Sequence, residues 1–280
     1  MKRRWMRNAF ACLIFIIGLL VLFYPTFSDL WNQYRQNQLI SSYVETLERM
    51  DQEDYSALWN EAKAYNDRLD PAFHDAFTGT EPEADDEYWS LLNLNGDGIM
   101  GYIEIPKISV RLPIYHGTGD ESLQHGAGHL AGTSLPIGGA GTHSVLSGHR
   151  GLPSALLFTD LDKMEEGDTF VLSILNEKLV YQVDQIQVVE PDQVSSLRVE
   201  PGQDYVTLIT CTPYGINTHR LLIRGHRIEM PKEEIQTVSV TDQVVQSFGW
   251  KGKLAVAGLG IFIVLVILGM VLRKWRKERC

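Results

Sequence analysis

Hydrophobic and polar positions divide the chain into four textures. From Ala9 to Phe23 the residues are uncharged and mostly apolar, and Lys2, Arg3, Arg4 and Arg7 precede them. Residues 28–78 then carry apolar side chains at helical spacing: Leu30, Tyr34, Leu39, Tyr43, Leu47 and Met50, followed by Tyr55, Trp59, Ala62, Tyr65 and Leu69. That spacing predicts a helical stalk. From Gly101 onward short β-branched runs recur between Gly and Pro turns: YIEIPKISVRLPIYH, HSVLSGH, DTFVLSIL, LVYQVDQIQVVE, YVTLITC and RLLIRGHRI. Several short strands so close together predict a β-barrel or sandwich rather than a parallel α/β sheet. QTVSVTDQVVQSFGWKGK reads as a tether. It leads into a second uncharged run, Leu254–Leu272, with Arg273, Lys274, Arg276, Lys277 and Arg279 behind it.

Charge sharpens this division. Both apolar runs have basic flanks that should face the cytoplasm, which puts residues 25–250 outside the cell membrane. YPTFSDLW offers no small-x-small cleavage site after the first run, so a retained signal anchor is expected. Of 25 Lys/Arg and 35 Asp/Glu, eleven basic residues and one Glu lie outside that window. The window therefore holds 14 basic and 34 acidic residues, a balance of −20. So acidic a domain is a poor candidate for nucleic acid. With 44% hydrophobic residues, the chain can bury one sizeable core. Cys12 lies in the first apolar run and Cys280 at the C-terminus, so Cys211, between the two runs, is expected to act as a thiol or a transient adduct.

Strand spacing around Cys211 narrows its partners. If YVTLITC and RLLIRGHRI are neighbouring strands joined by TPYGINTH, Cys211 ends one while Arg220 begins the other, and the two meet at one barrel rim. Arg224 shares the parity of Arg220 but lies about 13 Å farther along. His219 has the opposite parity and His226 is more distant, so a base must come from upstream. The candidates are His74, His116, His125, His129, His143 and His149. His149 in VLSGHRG follows a short apolar strand on a Gly-flanked turn, whereas His143 begins that strand and should point to its far end. Any one of these could be a structural histidine, and spacing alone only favours His149.

TLITC followed by TPYG, with an arginine nine residues after the cysteine, resembles the active-site signature of sortases. GYIEIPKI, LPIYHGT, GHLAGTSLP, HSVLSGHRGLPSALLFTDLDK and YQVDQIQVVEP resemble the pilus-assembling class C branch in order and spacing, from about Gly98 to Arg227. The resemblance implies a mainly β fold, a closed barrel of about eight strands with short helices, an N-terminal helical and lid region and two transmembrane helices. It divides the chain into a cytoplasmic tail (1–8), a transmembrane anchor (9–24), an extracytoplasmic helical region (25–90), a catalytic barrel (91–232), a tether (233–253), a second span (254–272) and a second basic tail (273–280).

Carried onto these residues, the resemblance implies that Cys211 is the nucleophile, His149 the general acid/base and Arg220 the stabiliser of the reacting carbonyl. The implied reaction cuts an LPXTG-like sorting signal between Thr and Gly. The thioacyl intermediate then passes to a lysine amine of another pilin subunit. No cofactor or metal is expected. A lid within residues 68–77 is also implied, with Asp70 and Pro71 matching and Phe73 as its aromatic, although Ala72 intervenes. Asp70 as helix N-cap with Pro71 at the first helical position accounts for the same residues.

Other patterns weigh less. NLNGDGIMGYIE has the spacing of a calcium loop but begins with Asn and runs into a predicted strand, so a turn is expected there. HGAGH has no third ligand nearby for zinc. Arg150, Arg224 and Arg227 are expected as surface or barrel-edge charges. Three other functions use similar features: a housekeeping sortase anchoring proteins to a cell-wall precursor, a hydrolytic cysteine protease, and a wall-anchored structural protein. The last would need a sorting signal before the second apolar run, where VVQSFGWKGK has none.

Overall fold

A computed structural model describes residues 2–69, 86–193, 195–230 and 258. Two compact units divide the chain, Met1–Val240 and Thr241–Cys280, and every element below belongs to the first. The lid residues Asp70, Pro71 and Phe73, the tether and the second apolar run lie outside the described residues.

The helical region differs from a stalk. Helix α1 (Lys2–Glu48) runs unbroken through Pro25, whose missing N–H leaves the Val21 carbonyl without its usual donor. From Leu13 to Tyr24 its apolar side chains are largely exposed, and it is the one helix among the described residues long and apolar enough to cross a membrane. Its C-terminal half lies on the barrel, where Ile40 and Tyr43 are buried with Ile99 and Tyr102. Helix α2 (Gln52–Asn66) sends Ala62 into the main core, with Tyr55, Leu58, Trp59 and Tyr65 packed around it. The periodicity is that of helices docked on a sheet, because a stalk has no apolar surface to meet. A short helix α3 (Asp86–Ser90) follows, burying Tyr88.

The barrel has eight strands: β1 (Ile99–Ile105), β2 (Val110–His116), β3 (Ala127–His129), β4 (Thr142–Ser147), β5 (Thr169–Ile174), β6 (Glu177–Val189), β7 (Asp204–Thr212) and β8 (His219–Ile228). A helix, α4 (Asp120–His125), sits between β2 and β3. The strands close in the order β1-β2-β3-β4-β7-β8-β6-β5. Two pairs are parallel, β2 with β3 and β4 with β7, and the rest antiparallel. After β4 the chain therefore crosses to β5 beside β1, makes the β5–β6 hairpin, and returns to lay β7 beside β4 in the same direction, as a parallel pair requires. Ile103, Ile105, Ile114, Leu146, Leu172, Leu208 and Ile223, all fully buried, fill the core.

HGAGH supplies β3, three residues that bridge β2 and β4. A Cβ on Gly128 would lie 2.3 Å from the Gly117 carbonyl oxygen, so only glycine fits there. The calcium-like loop is a hydrogen-bonded turn. Asn93 Oδ1 accepts from Gly98 N–H at 2.9 Å, Asp97 Oδ1 from Ile99 N–H at 3.2 Å, and Asn95 Oδ1 from the Thr46 hydroxyl at 2.7 Å.

Candidate active site

β4 and β7 pair with a constant offset of 62 residues, from Thr142 opposite Asp204 to Ser147 opposite Ile209. The alignment outlasts the strand. Gly148 N–H donates to Ile209 O at 3.0 Å, the Thr210 hydroxyl donates to Gly148 O at 2.8 Å, and Arg150 Nη1 donates to the Thr212 hydroxyl at 3.1 Å. Continued at that offset, His149 comes level with Cys211. On the other side of β7, the antiparallel register places Arg220 directly opposite Cys211. The neighbouring strands β7 and β8, and the turn that extends β4 alongside β7, thus bring His149, Cys211 and Arg220 into one row.

The row has a defined face. Leu146, Val206, Leu208, Leu221 and Ile223 belong to the main core. On the other face Val145, Ile209 and Leu222 form a second apolar cluster with Leu130 and Leu197. Cys211 lies two residues past Ile209, and Arg220 two before Leu222, so both continue that second face at the strand ends. The cluster is a buried apolar floor leading to the row. Cys211 is a free, partly exposed thiol.

Neighbouring charges sort as the strand parity requires. Arg224 is bound by Asp184 through two hydrogen bonds of 3.0 and 3.1 Å and lies 4.2 Å over the Tyr205 ring. Asp184 is presented by the irregularity in β6 between Val183 and Gln185. His219 Nε2 lies 3.2 Å from Glu190 Oε1, opposite Thr212 rather than Cys211. Among the described residues the Arg220 guanidinium donates only to carbonyls of its own turn, Asn217 at 3.4 Å and His219 at 3.2 Å. It therefore keeps N–H groups for a substrate oxygen.

Arg150 departs from the expected surface charge. Its side chain is 8% exposed, and it bridges Asp162 Oδ2 at 2.5 Å to Thr212 beside Cys211, with the Tyr214 ring 5.9 Å away. Asp162 is twelve residues along the chain in a single 3-10 turn, Leu161–Lys163, a separation that no local pattern reveals. Arg227 lies 5.7 Å over the Tyr181 ring.

The upstream histidines have separate tasks. His143 is buried between the Arg198 carbonyl at 3.0 Å and the Thr207 hydroxyl at 2.7 Å. His116 faces the carbonyls of Gly98 and Leu91 at 2.9 and 2.8 Å. His129 Nδ1 lies 3.0 Å from the Tyr88 hydroxyl and Nε2 2.9 Å from Ser134 O. His149 is half-buried. Burial holds its imidazole below the ordinary histidine range, and the Asp120 carboxylate pulls it part of the way back. A neutral imidazole at neutral pH is a competent base toward a thiol. Sequence reasoning missed Asp120 and the two threonines of TLITC, which tie β7 to β4 through His143 and Gly148. The signal is there in Thr207 and Thr210, each set among apolar neighbours in the middle of β7.

Known proteins share the sequence pattern and fold of this chain. The Sortase domain family model matches residues 103–228. Sortase D of Bacillus subtilis (strain 168) is 30% identical over 131 residues, 46% of this chain and 63% of that protein. The crystal structure of sortase C1 from Streptococcus agalactiae is 49% identical with a TM-score of 0.63, covering 69% of this chain and 100% of the other. Sortase C of Streptococcus pneumoniae is 46% identical with the same TM-score, covering 69% and 97%.

Proposed function

Because this chain belongs to the sortase family, we propose that it is a cysteine transpeptidase of the pilus-assembling class, held in the cell membrane with its barrel on the extracytoplasmic side. Cys211 and Arg220 paired on β7 and β8, with His149 on the turn that extends β4 alongside β7, carry the reading. The identities of 46–49% to sortase C structures favour the pilus class over a wall-anchoring sortase, and the Streptococcus pneumoniae sortase C is an enzyme with pilin substrate specificity.

The reaction follows from the chemistry of the three groups. Cys211 Sγ, with its proton passed to His149, attacks the carbonyl carbon of the Thr–Gly bond in an LPXTG-like signal. Negative charge gathers on the carbonyl oxygen, where the Arg220 guanidinium donates to it. Collapse breaks the C–N bond, and imidazolium gives its proton to the departing glycine amine. What remains is a thioacyl enzyme. A lysine amine of another pilin subunit attacks it, His149 accepts the proton released, and Cys211 leaves as thiolate. The product is an isopeptide bond and a lengthened pilus.

The topology belongs to the same reading. The apolar half of α1 is the first span and residues 254–272 the second, with both basic tails in the cytoplasm. A lid carrying Asp70, Pro71 and Phe73 is part of the same proposal, on the family resemblance alone.

Incubating the full chain in detergent with candidate pilins and mapping products by mass spectrometry tests the proposal. An intersubunit isopeptide between a sorting-signal threonine and a pilin lysine is expected. Products ending only in a free threonine carboxylate, or joined to a cell-wall precursor, would demote it in favour of a protease or an anchoring sortase.

A further inference from the structure

The loop that follows His149 is tied to α1 at a telling height. Between Arg7 and Asp29 the sequence has no charged residue. Residues 8–28 of an α-helix rise about 31 Å, the thickness of a bilayer's hydrocarbon core. Asp29 is then the first charge past the lipid. Asp29 Oδ1 accepts a hydrogen bond from Leu156 N–H at 3.0 Å, and one turn on Asn32 Nδ2 donates to Ser154 O at 2.8 Å. Gln36, another turn along the same face, donates to His125 O at 3.0 Å.

The loop is short and closed at its base. Phe158 N–H donates to His149 O at 3.1 Å, and Thr159 N–H donates to Leu156 O at 2.8 Å. Leu156 and Phe158 are two residues apart, at most about 7 Å. Adding the two hydrogen bonds, the His149 carbonyl lies within roughly 13 Å of the Asp29 carboxylate. Leu156 is 47% exposed, an apolar side chain in water beside the juxtamembrane turn. On the other side of that turn Trp31 is 63% and Tyr34 55% exposed, with ring centroids 6.1 Å apart. Exposed aromatic rings just past an apolar span are what a bilayer's headgroup layer accommodates.

We propose that the barrel rests on the bilayer with Leu156, Trp31 and Tyr34 in the phospholipid headgroup layer, so that His149 works within about 15 Å of the lipid. Asp29 and Asn32 are positioning residues that set this height. This rests on the reading of α1 as a membrane span.

Site-directed spin labelling separates the two ideas. The full chain with Cys12→Ser, Cys211→Ala and Cys280→Ser would carry one nitroxide at Leu156→Cys, at Leu20→Cys within the span, or at Glu48→Cys, the exposed far end of α1. Each would be reconstituted in phosphatidylglycerol and phosphatidylethanolamine vesicles. The ratio of collision rates with dissolved oxygen and with an aqueous nickel chelate reads depth. At Leu156 the ratio is expected severalfold above that at Glu48 and below that at Leu20. A Leu156 ratio equal to that of Glu48, with Leu20 in lipid, would overturn the surface contact. An aqueous ratio at Leu20 would overturn the span itself.

Discussion

Arg220 and Cys211 face each other as a strand pair, yet what surrounds them separates chemistry from folding. Arg224, four residues along β8, has a carboxylate and an aromatic ring for its guanidinium, whereas Arg220 among the described residues has only two carbonyls of its own turn. Removing Arg220 therefore leaves no buried partner stranded, and removing Arg224 strands Asp184. We expect Arg220→Ala to lower kcat/KM by about 10²–10³-fold, the loss typical of one oxyanion donor, with stability changed by no more than about 0.5 kcal/mol. Arg220→Lys should recover little, since an ammonium lacks the planar fork. Kinetics on a sorting-signal peptide beside urea unfolding checks both. Activity within threefold of the parent in Arg220→Ala would remove the arginine from the chemistry.

The row of functional groups depends on an element continuing past its formal end. β4 stops at Ser147, yet three further residues track β7, and Gly148 makes this possible. A Cβ there would fall 2.5 Å from Cδ2 and 2.7 Å from Cγ of the Phe158 ring, which is itself fully buried. Ring and backbone cannot both stay, so Gly148→Ala must push His149 out of line with Cys211 or push Phe158 out of the core. The expected outcome is a kcat at least tenfold lower, with the unreacted thiol still present, and a stability loss of about 1–3 kcal/mol. Gly139→Ala is the comparison, because its Cβ would meet only a Thr142 methyl at 3.9 Å, although its φ of +115° adds strain. Equal kinetics for Gly148→Ala and the parent would show that the His149 backbone has room the structure denies it.

Across the whole molecule, legibility follows sequence distance. Cys211 and Arg220 can be paired from strand alternation across one short turn, and that pairing is in the register. His149 follows β4, whose parallel pairing with β7 at an offset of 62 residues extends toward Cys211; periodicity cannot see that pairing, so spacing only favours His149 and the family resemblance singles it out. β3 has three residues, too few for an alternating pattern, and the Asp29–Leu156 contact spans 127 positions. The histidines that spacing leaves as rivals of His149 have a collective role that only burial exposes. Burial lowers His116, His143 and His129 below the ordinary value of 6.5, and His129 to about 4. Above pH 6.5 neither folded nor unfolded chain protonates them. Below it the unfolded chain takes up protons that the folded barrel refuses, so stability falls as pH drops from 6.5 toward about 4. For His129 alone the loss is on the order of 3 kcal/mol. Urea unfolding of the full chain in detergent should show it between pH 7.5 and 4.5. His129→Gln, less stable at pH 7.5 for loss of its contacts with Tyr88 and Ser134, should lose distinctly less on acidification. Parallel losses in the two proteins would mean that His129 already carries its proton inside the barrel, and that Tyr88 and Ser134 hold an imidazolium there.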